Sequence, residues 1–442
     1  MSDKLHIFYP GVYSEEEAAA IERFKTEEMK PLFGELPGPA PADEFSMRVF
    51  AAAWDRWNPL FNDPEYAKNS VWGGLIAMPC YRAPTARSIL PQELGSMATA
   101  NGVSYQCDAY DHEVIYHRPI YAGDTFTVKN KPSDIHDATP KEGSEGRVLV
   151  MICSSEMYNQ NGELVATVIN RWPEIRKRIT DPSLSPEEQR QLLMGRDGPP
   201  PKGAKKKPGG GMYVHPRHTY TQEDYDRMVS IWKAEKIRGK EPLYWEDVQI
   251  GDFTPITCEP PQHGLELIRN MGCAETLGQP GLREMFLTGA HKGNYHRDEE
   301  TGLYSTGTTR HIMGTGGGYA SLYNHHCRAF VVRMLTNWIG DNGFVSRVGW
   351  RFVNDIEPER QINKFPADSY RPSKLLLVPG MEGRFLNTHG QGYDAFVIHG
   401  YVYNKYADET GHYADVICWA EDFDGNIAQE CDCTVKLPSK HS

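Results

Sequence analysis

Ile152-Cys153-Ser154-Ser155-Glu156-Met157-Tyr158-Asn159-Gln160-Asn161-Gly162-Glu163-Leu164-Val165-Ala166 reads as a strand, an Asn-Gly turn and a second strand. Asn-Gly supplies the left-handed residues that a tight hairpin needs. The phrase returns at Ile417-Cys418-Trp419-Ala420-Glu421-Asp422-Phe423-Asp424-Gly425-Asn426-Ile427-Ala428, with an Asp-Gly turn. Upstream of each hairpin lies a matched strand pattern, Glu113 to Pro119 and Arg347 to Val353, alternating as half-buried strands do. Before those come two helical stretches that share an Arg-Ala pair (Arg82-Ala83, Arg328-Ala329): Tyr81 to Leu90, stopped by Pro91, and Tyr323 to Ile339. Helix, strand and hairpin thus occur twice in the same order, the mark of an internal duplication. One helix followed by several antiparallel strands predicts an α+β layer in which the sheet wraps the helix.

The two copies need a joint. Pro199-Pro200-Pro201-Lys202-Gly203-Ala204-Lys205-Lys206-Lys207-Pro208-Gly209-Gly210-Gly211 has no apolar periodicity and reads as an exposed connection. The expected organisation is an N-terminal domain over 1–198, a linker over 199–212 and a C-terminal domain over 213–442. A chain of 442 residues is about right for two cores. Its 47 Lys+Arg against 59 Asp+Glu leave a net charge of −12, which repels phosphate backbones and anionic lipid and so argues against nucleic-acid and membrane partners. No run of 18 apolar residues occurs, and the first residues lack the apolar core of a secretion signal. Nine cysteines, an odd number, form no disulfide framework, and a cytoplasmic location is expected. Without a CxxC pair a zinc ribbon is not expected; Cys431 and Cys433 alternate on one face of a strand.

Three segments resemble the MaoC-like hydratase/dehydratase family. Asp55-Arg56-Trp57-Asn58-Pro59-Leu60-Phe61-Asn62-Asp63-Pro64-Glu65-Tyr66-Ala67 resembles the family's hydratase motif. Tyr116-His117-Arg118-Pro119-Ile120-Tyr121-Ala122-Gly123-Asp124-Thr125 is similar to its Arg-Pro…Gly-Asp-Thr strand and turn, and Tyr244-Trp245-Glu246-Asp247-Val248-Gln249-Ile250-Gly251-Asp252 to the phrase that opens such a domain. The resemblance implies a tandem (double) hot-dog fold, each half an antiparallel sheet around a central helix. It also implies a hydro-lyase acting on an enoyl or 3-hydroxyacyl thioester, most plausibly an acyl-CoA, with no cofactor and no metal. An Asp and a His serve as base and acid in that chemistry, and a backbone N–H at a helix start holds the thioester oxygen.

The chain departs from the motif at its chemistry. The His position is Phe61, which cannot transfer a proton, and Asp55 stands one residue further from Asn58 than the pattern puts it. In the second half, Gly289 to Asp298 carries Asn294, His296 and Asp298 in the motif's order at shortened spacing. His296 with Asp298 is therefore the candidate catalytic pair, with His291 and Asp55 in reserve. The candidate substrate-binding residues are Asn58, Phe61, Trp57, Arg82, Asn294, His325, His326 and Gly316. His325 and His326 fill the slot of the family's His-Gly; neighbours on a helix point apart, which argues against a shared metal ion. Gly316 lies in Gly314-Thr315-Gly316-Gly317-Gly318, which could cradle an anion at a helix start but fits no nucleotide-binding fingerprint. Trp54, Trp57 and Phe61, spaced three and four apart, would share one helical face, as core or as an apolar pocket wall.

Two function classes follow. One is the hydro-lyase, or a relative working on a non-CoA small molecule; Arg82, Arg118, Lys129, Lys131 and the 202–207 cluster are available for a charged carrier. The other is a non-catalytic acyl-binding protein or complex subunit, favoured by Phe61. Either is compatible with a homodimer or larger homo-oligomer.

Overall fold

The computed structural model of this chain describes residues 19, 22, 40–81, 103–107, 109–131, 134–137, 147–178, 218–261, 295–297, 304–306, 324–353, 374–381, 395–425 and 427–441. The expected linker at 199–212 and residues 82–90 of the expected first-half helix lie outside these.

Near the start, α1 (Glu44–Trp54) is capped by Asp43, whose carboxylate accepts the Ser46 N–H at 2.9 Å. Its buried Met47, Phe50, Ala51 and Trp54 recur at helical spacing and make one apolar stripe. Two short helices follow, α2 (Pro59–Asn62) and α3 (Pro64–Lys68). Each opens on an Asx cap followed by proline, Asn58-Pro59 and Asp63-Pro64.

The strands of the first half are β1 (Val103–Cys107), β2 (Ala109–Tyr116), β3 (Phe126–Asn130), β4 (Asp134–Asp137), β5 (Arg147–Asn159) and β6 (Leu164–Arg178). The second half supplies α4 (Gln222–Ala234), β7 (Thr257–Glu259), β8 (Tyr295–Arg297), β9 (Tyr304–Thr306), α5 (Asn324–Ile339), β10 (Phe344–Val353), β11 (Phe396–Asp408), β12 (Gly411–Asp422) and β13 (Ile427–Leu437).

The hairpins form where the sequence places them. β5 and β6 turn through Gly162 at φ +75°, and β12 and β13 through Gly425 at φ +84°. Among the described residues, one sheet runs β3-β5-β6-β2-β10-β13-β12-β11-β7, with β1 beside β6 and β4 beside β5. β8 and β9 form a separate ribbon. The matched strands β2 and β10 pair antiparallel, Val114 opposite Val348, so the two copies join edge to edge and neither leaves that edge open. Glu113 pins the seam: Arg171 reaches it at 2.8 Å and Arg347 at 3.2 Å, while Arg347 also meets Asp432 at 3.0 Å. Strand β2 stops at Tyr116 rather than Pro119, since proline has no N–H to give the ladder.

Helix α5 carries the second core. Ala329 to Val332, Met334, Leu335, Trp338 and Ile339 are all buried, so the helix is apolar on nearly every side and lies within the sheet's curve. Cys418, Cys431 and Cys433 line the same interior as small apolar groups. With its repeated antiparallel sheet around a buried helix, the molecule has the double hot-dog fold.

Candidate active site

The turn that ends α1 builds the site. Asp55 caps the helix, Arg56 and Trp57 swing outward, and Asn58 returns inward, its N–H bonded to the Asp55 carbonyl at 3.2 Å. Asn62 stitches the turn, its Nδ2 donating to the carbonyls of Asp55 at 2.9 Å and Asn58 at 2.8 Å. The extra residue between Asp55 and Asn58 is thereby taken up in an exposed bulge. The expected aromatic face does not form: Trp54 and Phe61 are buried, but Trp57 is 81% exposed because the helix has already ended.

Facing this turn is one side of α5. Phe330, Arg333 and Asn337 follow at spacings of three and four. The Phe330 ring meets Trp54 edge-on at 5.6 Å, and Asn58 Nδ2 donates to Asn337 Oδ1 at 3.2 Å. Both halves therefore contribute. Arg333 extends further, its Nη2 lying 3.1 Å from Glu235 Oε1, 3.1 Å from Glu259 Oε1 and 3.3 Å from the Cys258 carbonyl, to which it donates. Trp72 Nε1 donates to the Asp341 carbonyl and Tyr66 Oη to its carboxylate, both at 2.7 Å, holding the end of α5 against the first half.

Burial decides the electrostatics. Asp55 is 4% exposed; desolvation pushes its carboxyl up to about 6, against the opposing pull of Arg333 and of hydrogen bonds from Asn58 and Asn337. Its Oδ2 has no hydrogen-bond partner among the described residues. Burial likewise raises Glu235, and pushes the Cys258 thiol to about 12. A carboxyl near neutrality, able both to take and to give a proton, is the arrangement that acid–base chemistry uses.

Two small clefts lie beside this turn. One is lined by Leu60, Phe61, Ile76, Pro79, Thr336, Gly340, Gly343, Phe344 and Val345. The other is lined by Ala77 to Pro79, Tyr81, Tyr116, Arg118, Pro119, Ile120 and Phe344. They share Pro79 and Phe344 and are lined by both halves. Asp55 lines neither; Asn58 and Asn337 link it to them, standing one or two residues from Leu60 and Thr336. Between Pro79 and Tyr81, Cys80 holds φ +85°, a left-handed backbone uncommon outside glycine, and its N–H donates to Tyr116 Oη at 2.7 Å.

Of the residues expected from sequence, the structure brings Asp55, Asn58 and Phe61 to one turn. His296 lies in β8 opposite Ser305, and His325 and His326 begin α5; their side chains lie outside the description. Arg82, His291, Asn294, Asp298 and Gly316 lie outside the described residues altogether. Arg118 pairs with Glu163 and Lys131 with Glu156, while Lys129 sits over the Tyr158 ring. Sequence reading missed Arg333, Asn337, Glu235 and Glu259. The available signal was a pair of polar residues four apart inside the apolar run Ala329 to Ile339.

Residues 40–168 match the family model described as FAS1-like, dehydratase domain region. A UPF0336 protein of Parafrankia sp. (strain EAN1pec) is 33% identical over 123 residues, 27% of this chain and 74% of the relative. One from Thermobifida fusca (strain YX) is 28% identical over 135 residues, 30% of this chain and 84% of the relative. Among solved structures, a MaoC-like dehydratase superposes at TM-score 0.44 with 13% identity, covering 94% of this chain and 99% of its own. A Mycobacterium tuberculosis protein described as having a double hotdog fold gives 0.41 and 10%, over 93% and 97%.

Fold and junction together define a double hot-dog protein, one stretch of which, residues 40–168, matches a dehydratase region. The chain belongs with the UPF0336 proteins, and its first half carries a FAS1-like dehydratase region.

Proposed function

We propose that this protein is a hydro-lyase that interconverts an enoyl thioester and a 3-hydroxyacyl thioester, with an acyl-CoA as substrate and Asp55 as a proton-transfer group. The observation that carries this reading is the Asp55 carboxyl, buried at the junction of the halves and raised to about 6. In hydration, ionised Asp55 takes a proton from water as its oxygen bonds to the β-carbon, and a proton is delivered to the α-carbon; dehydration is the reverse. Phe61, 2% exposed, packs in the core and offers no second proton donor. The proposal assigns that step to His296, with Asp298 beside it in sequence and His291 in reserve. Leu60, Phe61, Ile76, Phe344 and Val345 give the junction an apolar wall suited to an acyl chain.

The test is a panel of enoyl-CoA esters, followed by loss of conjugated-thioester absorbance. Turnover on one or more chain lengths is expected, and Asp55→Asn should lower it about 10²- to 10⁴-fold. No turnover on any ester would sink the hydro-lyase reading and favour the non-catalytic acyl-binding alternative. Full activity in Asp55→Asn would keep the reaction but remove Asp55 from it.

A further inference from the structure

The cluster around Arg333 is larger than one proton-transfer group requires. Three buried or half-buried carboxyls, Asp55, Glu235 and Glu259, stand about a single guanidinium. Arg333 Nη2 is already shared among Glu235 Oε1, Glu259 Oε1 and the Cys258 carbonyl. Its Nε, although buried, meets no hydrogen-bond partner among the described residues. Asp55 makes no ion pair among those residues, and the cation acting on it, Arg333, makes its ion pairs there through Nη2 with Glu235 and Glu259 instead.

One positive charge cannot offset three ionised carboxylates in a largely buried site, so the carboxyl without an ion pair is the one that holds a proton. The topology separates these parts. Asp55 caps α1 of the first half, whereas Arg333 lies on α5, Glu235 follows α4, and Glu259 ends β7, all in the second half. The groups facing Asp55 from these elements are Arg333 and Asn337 on α5, with Glu235, Glu259 and the Cys258 thiol behind Arg333; Asn58 faces it from its own turn.

We infer that Arg333 and Glu235 are positioning residues of the second half that govern whether Asp55 of the first half is protonated, so the proton-transfer group and its control come from different copies of the repeat. This rests on the role proposed for Asp55, but it concerns a titration that can be read without turnover. Glu235 competes with Asp55 for Arg333. Neutralising Glu235 releases the guanidinium toward Asp55 and lowers the pH at which Asp55 ionises.

The full chain, labelled with ¹³C at aspartate carboxyls, is titrated by NMR as wild type, Glu235→Gln and Glu259→Gln; the Asp55 signal is the one missing from Asp55→Asn. Glu235→Gln should move the Asp55 midpoint down by about one pH unit. Glu259→Gln should move it the same way, and supplies the reading if Glu235→Gln fails to fold. In a folded variant, an Asp55 midpoint equal to wild type overturns the inference whatever the activity. A lowered midpoint in a protein that turns over no enoyl ester upholds it while rejecting the hydro-lyase reading. Where turnover is found, the acidic limb of the kcat/KM profile should follow the NMR midpoint downward, a change that a purely structural Glu235 would not produce.

Discussion

Replacing Asp55 by asparagine should stabilise the protein above neutral pH while lowering the turnover proposed for it. The carboxyl titrates at about 6 in the folded chain against an ordinary 3.8. Between these values the native state holds a proton that the unfolded chain has shed, so stability falls as pH rises through that window. Below 3.8 the two states bind equally and nothing is lost. Above about 7 the loss is complete, and a shift of about two units corresponds to about 3 kcal/mol at 1.36 kcal/mol per unit. Asparagine has nearly the same shape and carries no charge to desolvate. Asp55→Asn should therefore be about 3 kcal/mol more stable than wild type near pH 8 and no more stable than wild type near pH 3.5. Urea unfolding at both pH values measures this, read as a shift in midpoint at constant slope. A variant equally stable relative to wild type at the two pH values, or less stable near pH 8, would refute the account of Asp55 as a carboxyl whose ionisation is resisted by burial. A gain in stability joined to a loss of turnover is the pattern expected where a strained group is kept for function.

Phe330→Ala should cost about 3–5 kcal/mol; in a double-mutant cycle with Trp54→Ala, a coupling of about 0.5–1.5 kcal/mol would show that α1 and α5 meet through these rings. Gly340→Ala should destabilise strongly, because the residue sits at φ +72° and a Cβ would lie 2.8 Å from the Gly239 carbonyl; a variant with wild-type Tm would contradict the close approach. His218, whose charge is disfavoured by burial but more strongly supported by Asp424 at 2.7 Å and Asp224 at 3.2 Å, titrates above its ordinary 6.5. The stability it adds is full below 6.5 and fades as pH rises through the folded value, so His218→Gln should lower Tm at pH 5.5 and converge on wild type in alkaline buffer.

Much of the architecture is local and was legible for that reason. Asn161-Gly162 and Asp424-Gly425 demand hairpins wherever they fall between strand patterns, since few other residues accept the left-handed backbone there. Asp43, Asn58-Pro59 and Asp63-Pro64 start helices by caps a few residues long. The reading of Trp54, Trp57 and Phe61 as one face failed at the same scale: Asn58-Pro59 starts a new helix, and the turn before it breaks the period.

The site divides along the same line. Sequence by itself determined the duplicated order of helix, strand and hairpin, placed Asp55 and Asn58 in a motif frame, and showed Phe61 in the place of a histidine. Only the tertiary structure decided that Asn58 bonds Asn337 across 279 positions of chain, and that Arg333 divides its charge between Glu235 and Glu259 while Asp55 is left to hold a proton. A hairpin turn is dictated by the dihedral preferences of two residues. The proton affinity of a carboxyl is dictated by how much water it loses and which charges surround it, and those neighbours assemble only when β2 and β10 join the two copies into one sheet.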